Sequence, residues 1–266
     1  MGIVILSDTD VLVIPEGFPD IMKTFRYANK VVIALSSSYI FEVMPLGENW
    51  KDYGIDWVMV NSKVTKAFIK WSMGINNVCF IGTAIDHELF NYFPGQKKLQ
   101  IAYINRKDTL SPLIEKIVKS KSDSFNEIQF IKIEGLSINE YAAVLKQSEI
   151  YLTTSQSEGF PRSILEAMAC GCICIGFDGM GGKDYIVGSG EKQNFILAES
   201  MNFIDLSIQL VELIKRIKKQ EPIIELIRKN AISTANELSF DIEKSSILDF
   251  WRSYFKKELG FRENEK

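Results

Sequence analysis

SEGFPRSILEAMACGCIC, residues 157–174, places a carboxylate, Glu158, in a turn built around Gly159 and Pro161. It then opens a helix, sets a second carboxylate, Glu166, inside that helix, and passes almost at once into an apolar strand. Pro161 suits the first helical position, because its missing N–H would have no intrahelical acceptor there. The amides of Arg162, Ser163 and Ile164 should then point out of the helix N-terminus and, with the helix dipole, form an anion site. Glu166, one to two turns further in, can accept two hydrogen bonds from a vicinal diol such as a ribose. Such a turn–helix–strand unit suits a ligand with both phosphates and sugar hydroxyls. Taken alone, the glutamates read more readily as a solvated loop residue and a dipole-stabilising helix residue. The string around them changes that weighing.

Working outward, short apolar strands alternate with amphipathic helices. Strands are predicted at 11–14, 31–35, 56–60 and 78–82, with helices from Pro19 to about Tyr27 and from Ser62, a plausible N-cap, to Met73. A less regular stretch follows, with the turn signal Pro94-Gly95. The pattern restarts with strands at 99–104, 128–133, 149–154, 172–177 and 195–197. The helices among them run from Ser111 to Ser120, from Ser137 to Gln147, where Ser137 and Glu140 form a capping box, and from Pro161. Three helices, near 202–219, 221–237 and 240–258, finish the pattern. Near-continuous apolar strands alternating with helices mean parallel sheets covered on both faces. Two such sets give an α/β protein of two Rossmann-like, doubly wound domains. Ligands are then expected outside the carboxyl ends of the strands, in the cleft between domains.

A chain of 266 residues with 46% hydrophobic and 24% charged residues has the balance of a soluble globular protein. A net charge of −3 gives no reason to expect nucleic acid as a partner. No apolar run reaches the roughly 18 residues of a membrane span, and MGIVILSDTD lacks the basic start of a secretory signal. Cys79, Cys170, Cys172 and Cys174 match no common zinc spacing and read as small core residues, consistent with a reducing cytoplasm. No metal site is expected.

The string EGFPRSILEAMACG resembles the signature E-G-F-x-x-x-x-L-E-A-M-A-x-G of retaining nucleotide-sugar glycosyltransferases of the GT-B fold, the large glycosyltransferase family 4 and its relatives. Every fixed position is met from Glu158 to Gly171. WVMVNSKVTKAFIK (57–70) with CFIGTAIDHELF (79–90) is similar to the family's passage into its second domain, and GMGGKDYI (179–186) to its later G-G-x-x-E-[IL] segment, with Asp184 where glutamate is usual. The resemblance spans about residues 10–258.

It implies a sugar transferred from a nucleotide-diphosphate donor with retention of configuration, in polysaccharide or glycoconjugate synthesis. The donor is a substrate, and no cofactor is implied. Glu158 would contact donor-sugar hydroxyls as the catalytic, electrostatic residue, and Glu166 would hold the ribose. The turn at Gly159 and Phe160 would approach the sugar. The helix start at Arg162, Ser163 and Ile164, with the basic pair Arg106-Lys107, would hold the diphosphate. The implied organisation is a partial, acceptor-side domain over 1–82, a linker over 83–98, a nucleotide-sugar domain over 99–239, and a terminal helix over 240–258 crossing back, with Trp251 and Tyr254 as packing residues.

The first domain is expected to be truncated, since the family's opening strands and glycine-rich loop have no counterpart. The expected partners are the donor and a sugar or lipid-linked acceptor, and the chain reads either as a shortened gene product or as one that takes a partner chain supplying the missing segment. An alternative is a non-catalytic nucleotide-sugar-binding subunit. A related epimerase is disfavoured by the motif. Arg106-Lys107 also reads as an exposed basic turn. Lys215, Arg216, Lys218 and Lys219 admit contact with an anionic membrane at its inner face, or simply a solvated helix face. His87 reads as structural. Asp8-Thr9-Asp10, a D-x-D string, precedes a strand instead of following one, which argues against a metal–nucleotide site.

Overall fold

The computed structural model describes residues 6–7, 9–25, 27–104, 110–258 and 260. In chain order the first half has β1 (Val11–Pro15), α1 (Pro19–Thr24), β2 (Asn29–Ala34), α2 (Ser37–Val43), β3 (Trp57–Val60), α3 (Lys63–Met73) and β4 (Asn77–Phe80). Then come β5 (Lys98–Ile104), α4 (Leu110–Lys119), β6 (Gln129–Ile133), α5 (Ile138–Gln147), β7 (Ser148–Thr153), α6 (Arg162–Ala169), β8 (Ile173–Gly176) and β9 (Ile196–Leu197). The last helices are α7 (Phe203–Lys218), α8 (Pro222–Asn236) and α9 (Phe240–Glu258).

Two compact units result. The first comprises Met1–Thr83, Glu158–Phe160 and Asp241–Lys266, and the second comprises Ala84–Ser157 and Pro161–Phe240. Of the stretch expected as a linker, 83–98, Thr83 groups with the first unit and 84–98 with the second, where its side chains are anchored. Phe90 meets Tyr141 edge-on with ring centroids 5.6 Å apart. Lys97 Nζ donates to the carbonyls of Leu145 at 3.0 Å and Ser148 at 2.7 Å.

Among the described residues, the strands of the first unit are parallel and lie in the order β1-β2-β3-β4. Because the order never reverses, right-handed crossovers bring their helices to one face. That face packs Val32, Ala34, Val58 and Val60 against Met22, Ile40 and Ile69 of α1, α2 and α3. The alternate residues Val31, Trp57 and Met59 are covered by Phe250 and Tyr254 of α9. Trp57 Nε1 also donates to Glu258 Oε1 at 2.8 Å. The predicted aromatic face of the last helix is thus a packing face. Helix α1 stops at Thr24, short of the expected Tyr27, with the Phe25 amide closing on the Ile21 carbonyl. Helix α2 was not foreseen in SSSYIFEVM, where the helical spacing of Ile40 and Met44, both buried in the first core, spans a single turn.

The second unit's parallel sheet has the order β6-β5-β7-β8-β9. Helix α4 packs on α7, while α6 packs on α5 and α8. The expected caps are present. Ser62 Oγ accepts from the Thr65 amide at 3.1 Å. Ser137 Oγ accepts from the Glu140 amide at 3.4 Å, and Glu140 returns the bond to the Ser137 amide at 2.8 Å.

Candidate functional site

Strand order in the second unit reverses between β5 and β7, since β6 lies on one side of β5 and β7 on the other. The strands that follow these two in sequence, β6 and β8, lie on opposite sides of the pair, and ligands of open α/β sheets bind outside such a point. The chain leaving β5 passes through 105–109 into α4. The chain leaving β7 passes through 154–161 into α6. Ser111, in the first turn of α4, has its hydroxyl 3.5 Å from that of Thr154, just past β7. The start of α4 therefore lies beside the end of β7. Arg106 and Lys107 lie outside the described residues.

Pro161 occupies the N-cap of α6, one position earlier than predicted. The Ile164 amide, expected to point outward, donates to the Pro161 carbonyl at 3.3 Å, and the Ile164 side chain is wholly buried. The first turn closes tightly here, which leaves Arg162 and Ser163 as the helix-start residues whose amides have no intrahelical acceptor. The Pro161 carbonyl also accepts from the Tyr185 hydroxyl at 2.7 Å. This bond ties the G-G segment to the start of α6. Within that segment Met180 has φ of 70°, a left-handed conformation uncommon outside glycine, and its amide bonds Asp178 Oδ1 at 2.8 Å. Asp184 closes a tight helical turn over Gly181–Asp184.

Glu166 faces inward from α6 and is 9% exposed. Its Oε2 accepts from the Tyr141 hydroxyl of α5 at 2.8 Å. Its Oε1 lies 3.9 Å from Arg162 Nη2, one turn back, and the Arg162 side chain is largely exposed. The same nitrogen donates to the Ala84 carbonyl at 3.3 Å. Burial, then the charges of Tyr151 and Glu166, push the Tyr141 phenol well above its ordinary range, so it stays protonated as a donor. Tyr141 was not foreseen. Its only sequence signal is its place in the capped helix SINEYAAVL.

Glu158 and Phe160 are half-buried and Gly159 is buried, all grouped with the first unit. A Cβ on Gly159 would overlap the Leu35 carbonyl, so only glycine fits there. Leu35 and Ser36 donate their amides to Glu16 Oε1, each at 3.1 Å. Glu16 is a buried carboxylate that the sequence did not single out.

Cys170, Cys172 and Cys174 are buried and free, as expected of core residues. Burial pushes the Cys170 thiol up to about 12 and raises the other two. His87 Nε2 lies 3.0 Å from the Leu238 carbonyl, a structural role. Asp8 lies outside the described residues, and Asp10 Oδ2 accepts from the Ser7 amide at 2.7 Å. Lys215 and Arg216 pair with Glu212 of their own helix, while Lys218 donates to the Ser124 carbonyl at 2.9 Å. Among the described residues, no helix is long and apolar enough to cross a membrane.

Residues 115–232 match the family model described as Glycosyl transferases group 1. An α-1,6-glucosyltransferase of Actinobacillus pleuropneumoniae is 34% identical over 94 residues, which is 34% of this chain and 28% of that protein. The GtfA subunit of a UDP-N-acetylglucosamine–peptide N-acetylglucosaminyltransferase of Streptococcus pneumoniae is 25% identical over 134 residues, 49% of this chain and 25% of that protein. The chain thus spans about a quarter of the length of these curated relatives. Among solved structures, pneumococcal O-GlcNAc transferase GtfA, in complex with UDP and GlcNAc, superposes with a TM-score of 0.65 at 17% identity, covering 96% of this chain and 58% of that one. A glycosyltransferase from Rickettsia africae superposes with a TM-score of 0.59 at 14% identity, covering 93% of this chain and 99% of that one. The chain therefore has the fold of the GT-B glycosyltransferases, and its residues 115–232 carry the match to Glycosyl transferases group 1.

Proposed function

We propose that this protein is a glycosyltransferase that takes a nucleotide-diphosphate sugar and moves the sugar to a sugar or lipid-linked acceptor with retention. The observation that carries this reading is Glu166. It is a buried carboxylate fixed in the helix that starts beside the reversal point of the second sheet, within a string that meets every fixed position of the donor-site signature. Glu166 holds the ribose. The helix-start amides of Arg162 and Ser163, with Arg106 and Lys107, take the diphosphate. Glu158, with the turn at Gly159 and Phe160, addresses the donor sugar.

Breaking the sugar–phosphate bond builds negative charge on the leaving diphosphate, and fixed amides and cations stabilise it without an obligatory metal. Glu158 orients the sugar and offsets the positive charge that develops on its ring. UDP is the nucleotide we favour, because a curated relative is named for UDP-N-acetylglucosamine and a fold neighbour was solved with UDP. We place the reaction in polysaccharide or glycoconjugate synthesis on the cytoplasmic side, at or near the inner face of the membrane.

Calorimetric titration with UDP, GDP, ADP and CMP tests the reading. Binding of UDP is expected, and Glu166→Ala should weaken it about 10- to 100-fold, the worth of one or two hydrogen bonds to a charged group. Unchanged affinity in the variant would remove the ribose assignment. A second reading, in which the chain transfers sugar only with a partner chain, is favoured by its likeness to the chain solved as a GtfA/B complex, with a TM-score of 0.63 at 18% identity. Sugar transfer by the purified chain alone would exclude it.

A further inference from the structure

Glu166 has a flexible side chain, yet ribose recognition needs its carboxylate held in one orientation. Among the described residues, two groups can do this. Arg162 is the weaker, since its nearest nitrogen is 3.9 Å from Oε1, beyond hydrogen-bond range, on a side chain open to solvent. Tyr141 is the stronger. Its hydroxyl reaches Oε2 at 2.8 Å, and both groups are buried. The phenol ring is itself braced edge-on by Phe90, with an interplanar angle of 66°. A phenol has one proton to donate, and here it goes to Oε2. The other oxygen, Oε1, then keeps both lone pairs for a ligand.

We infer that Tyr141 is a positioning residue for nucleotide recognition, pinning Oε2 of Glu166 so that Oε1 receives the 2′- and 3′-hydroxyls of the ribose. This rests on the donor-site reading above. Specificity follows, because a buried acceptor arranged for a diol discriminates against a nucleotide that lacks it. Without the tyrosine hydroxyl, the carboxylate turns toward Arg162 and loses that orientation.

The test is calorimetric binding of UDP and of 2′,3′-dideoxy-UDP to the wild-type protein, Tyr141→Phe and Glu166→Ala. The wild type should prefer UDP. Tyr141→Phe should bind UDP about tenfold more weakly, the worth of one hydrogen bond to a charged group, with dideoxy-UDP affinity unchanged. Glu166→Ala should abolish the preference. A merely structural tyrosine would weaken both nucleotides alike, and that result, or no change at all, overturns the inference. If Glu166→Ala keeps the wild-type preference, the ribose assignment fails and the inference falls with it. If Glu166→Ala loses the preference while Tyr141→Phe keeps it, only the role of Tyr141 is refuted. Should Tyr141→Phe be recovered unfolded, Phe90→Leu loosens the ring while keeping the hydroxyl. It is expected to cut the preference severalfold, and an unchanged preference would overturn the inference.

Discussion

Gly159 and Leu35 touch backbone to backbone, leaving no space for even a methyl group between the motif turn and the end of β2. Gly159→Ala must therefore displace one of the two segments. We expect it to cost about 1–3 kcal/mol, the range for overpacking a filled site. Urea unfolding should show the lowered midpoint, while Gly17→Ala, which meets nothing within 4 Å, should leave it nearly unchanged.

Leu35 is itself held by Glu16, whose Oε1 takes the amides of Leu35 and Ser36. Glu16→Ala removes a charged acceptor from two donors. It is expected to destabilise the first unit by about 1.5–3 kcal/mol. Hydrogen exchange at the Leu35 and Ser36 amides should rise more than exchange at β3, and equal protection in variant and wild type would refute the anchor.

In the second unit the buried Arg228 pairs with Glu149 and Glu225 and donates to the Gly171 carbonyl, with its guanidinium over the Tyr92 ring. Arg228→Met strands the Glu149 charge in the interior. A loss of about 3–5 kcal/mol is expected. The double variant Arg228→Met/Glu149→Gln should recover part of it, which denaturant melts on all four members of the cycle can measure.

Alkaline pH should loosen the second unit. Burial raises the Cys170 thiol from its ordinary 9.0 to about 12, and moves Cys172, Cys174 and Tyr141 in the same direction. Above pH 9.0 the unfolded chain releases the Cys170 proton while the folded chain keeps it. Its contribution to stability is therefore whole below that pH and is lost progressively as pH rises toward 12. Unfolding midpoints should fall across this window, and Cys170→Ala should flatten the fall. The same burial keeps these thiols neutral and unreactive, so half-buried Cys79 should be the first cysteine labelled by a thiol reagent.

Local rules were legible in the sequence, and distant meetings were not. Ser62, and Ser137 with Glu140, announce their caps within three residues, because capping is a contact between chain neighbours. The motif string marked Gly159 and Glu166 by resemblance. Nothing in the sequence paired Tyr141 with Glu166, Glu16 with Leu35, or Arg228 with Glu149, since each pair meets only after sheets and helices have packed. Strand order was equally hidden. The alternation of strand and helix predicts a parallel sheet, but not that β6 and β7 flank β5. Pro161 fell one position from its expected place, within the ordinary play of a helix end.

The covering of Val31, Trp57 and Met59 by α9 has a consequence for biosynthesis. Residues of the first sheet leave the ribosome before the second unit is made, but the helix that seals their second face follows only after both segments of that unit. The domain begun first is thus completed last. Until Phe250 and Tyr254 emerge, one apolar side of the nascent sheet stays uncovered, the kind of surface that chaperones bind and that aggregates when synthesis stalls.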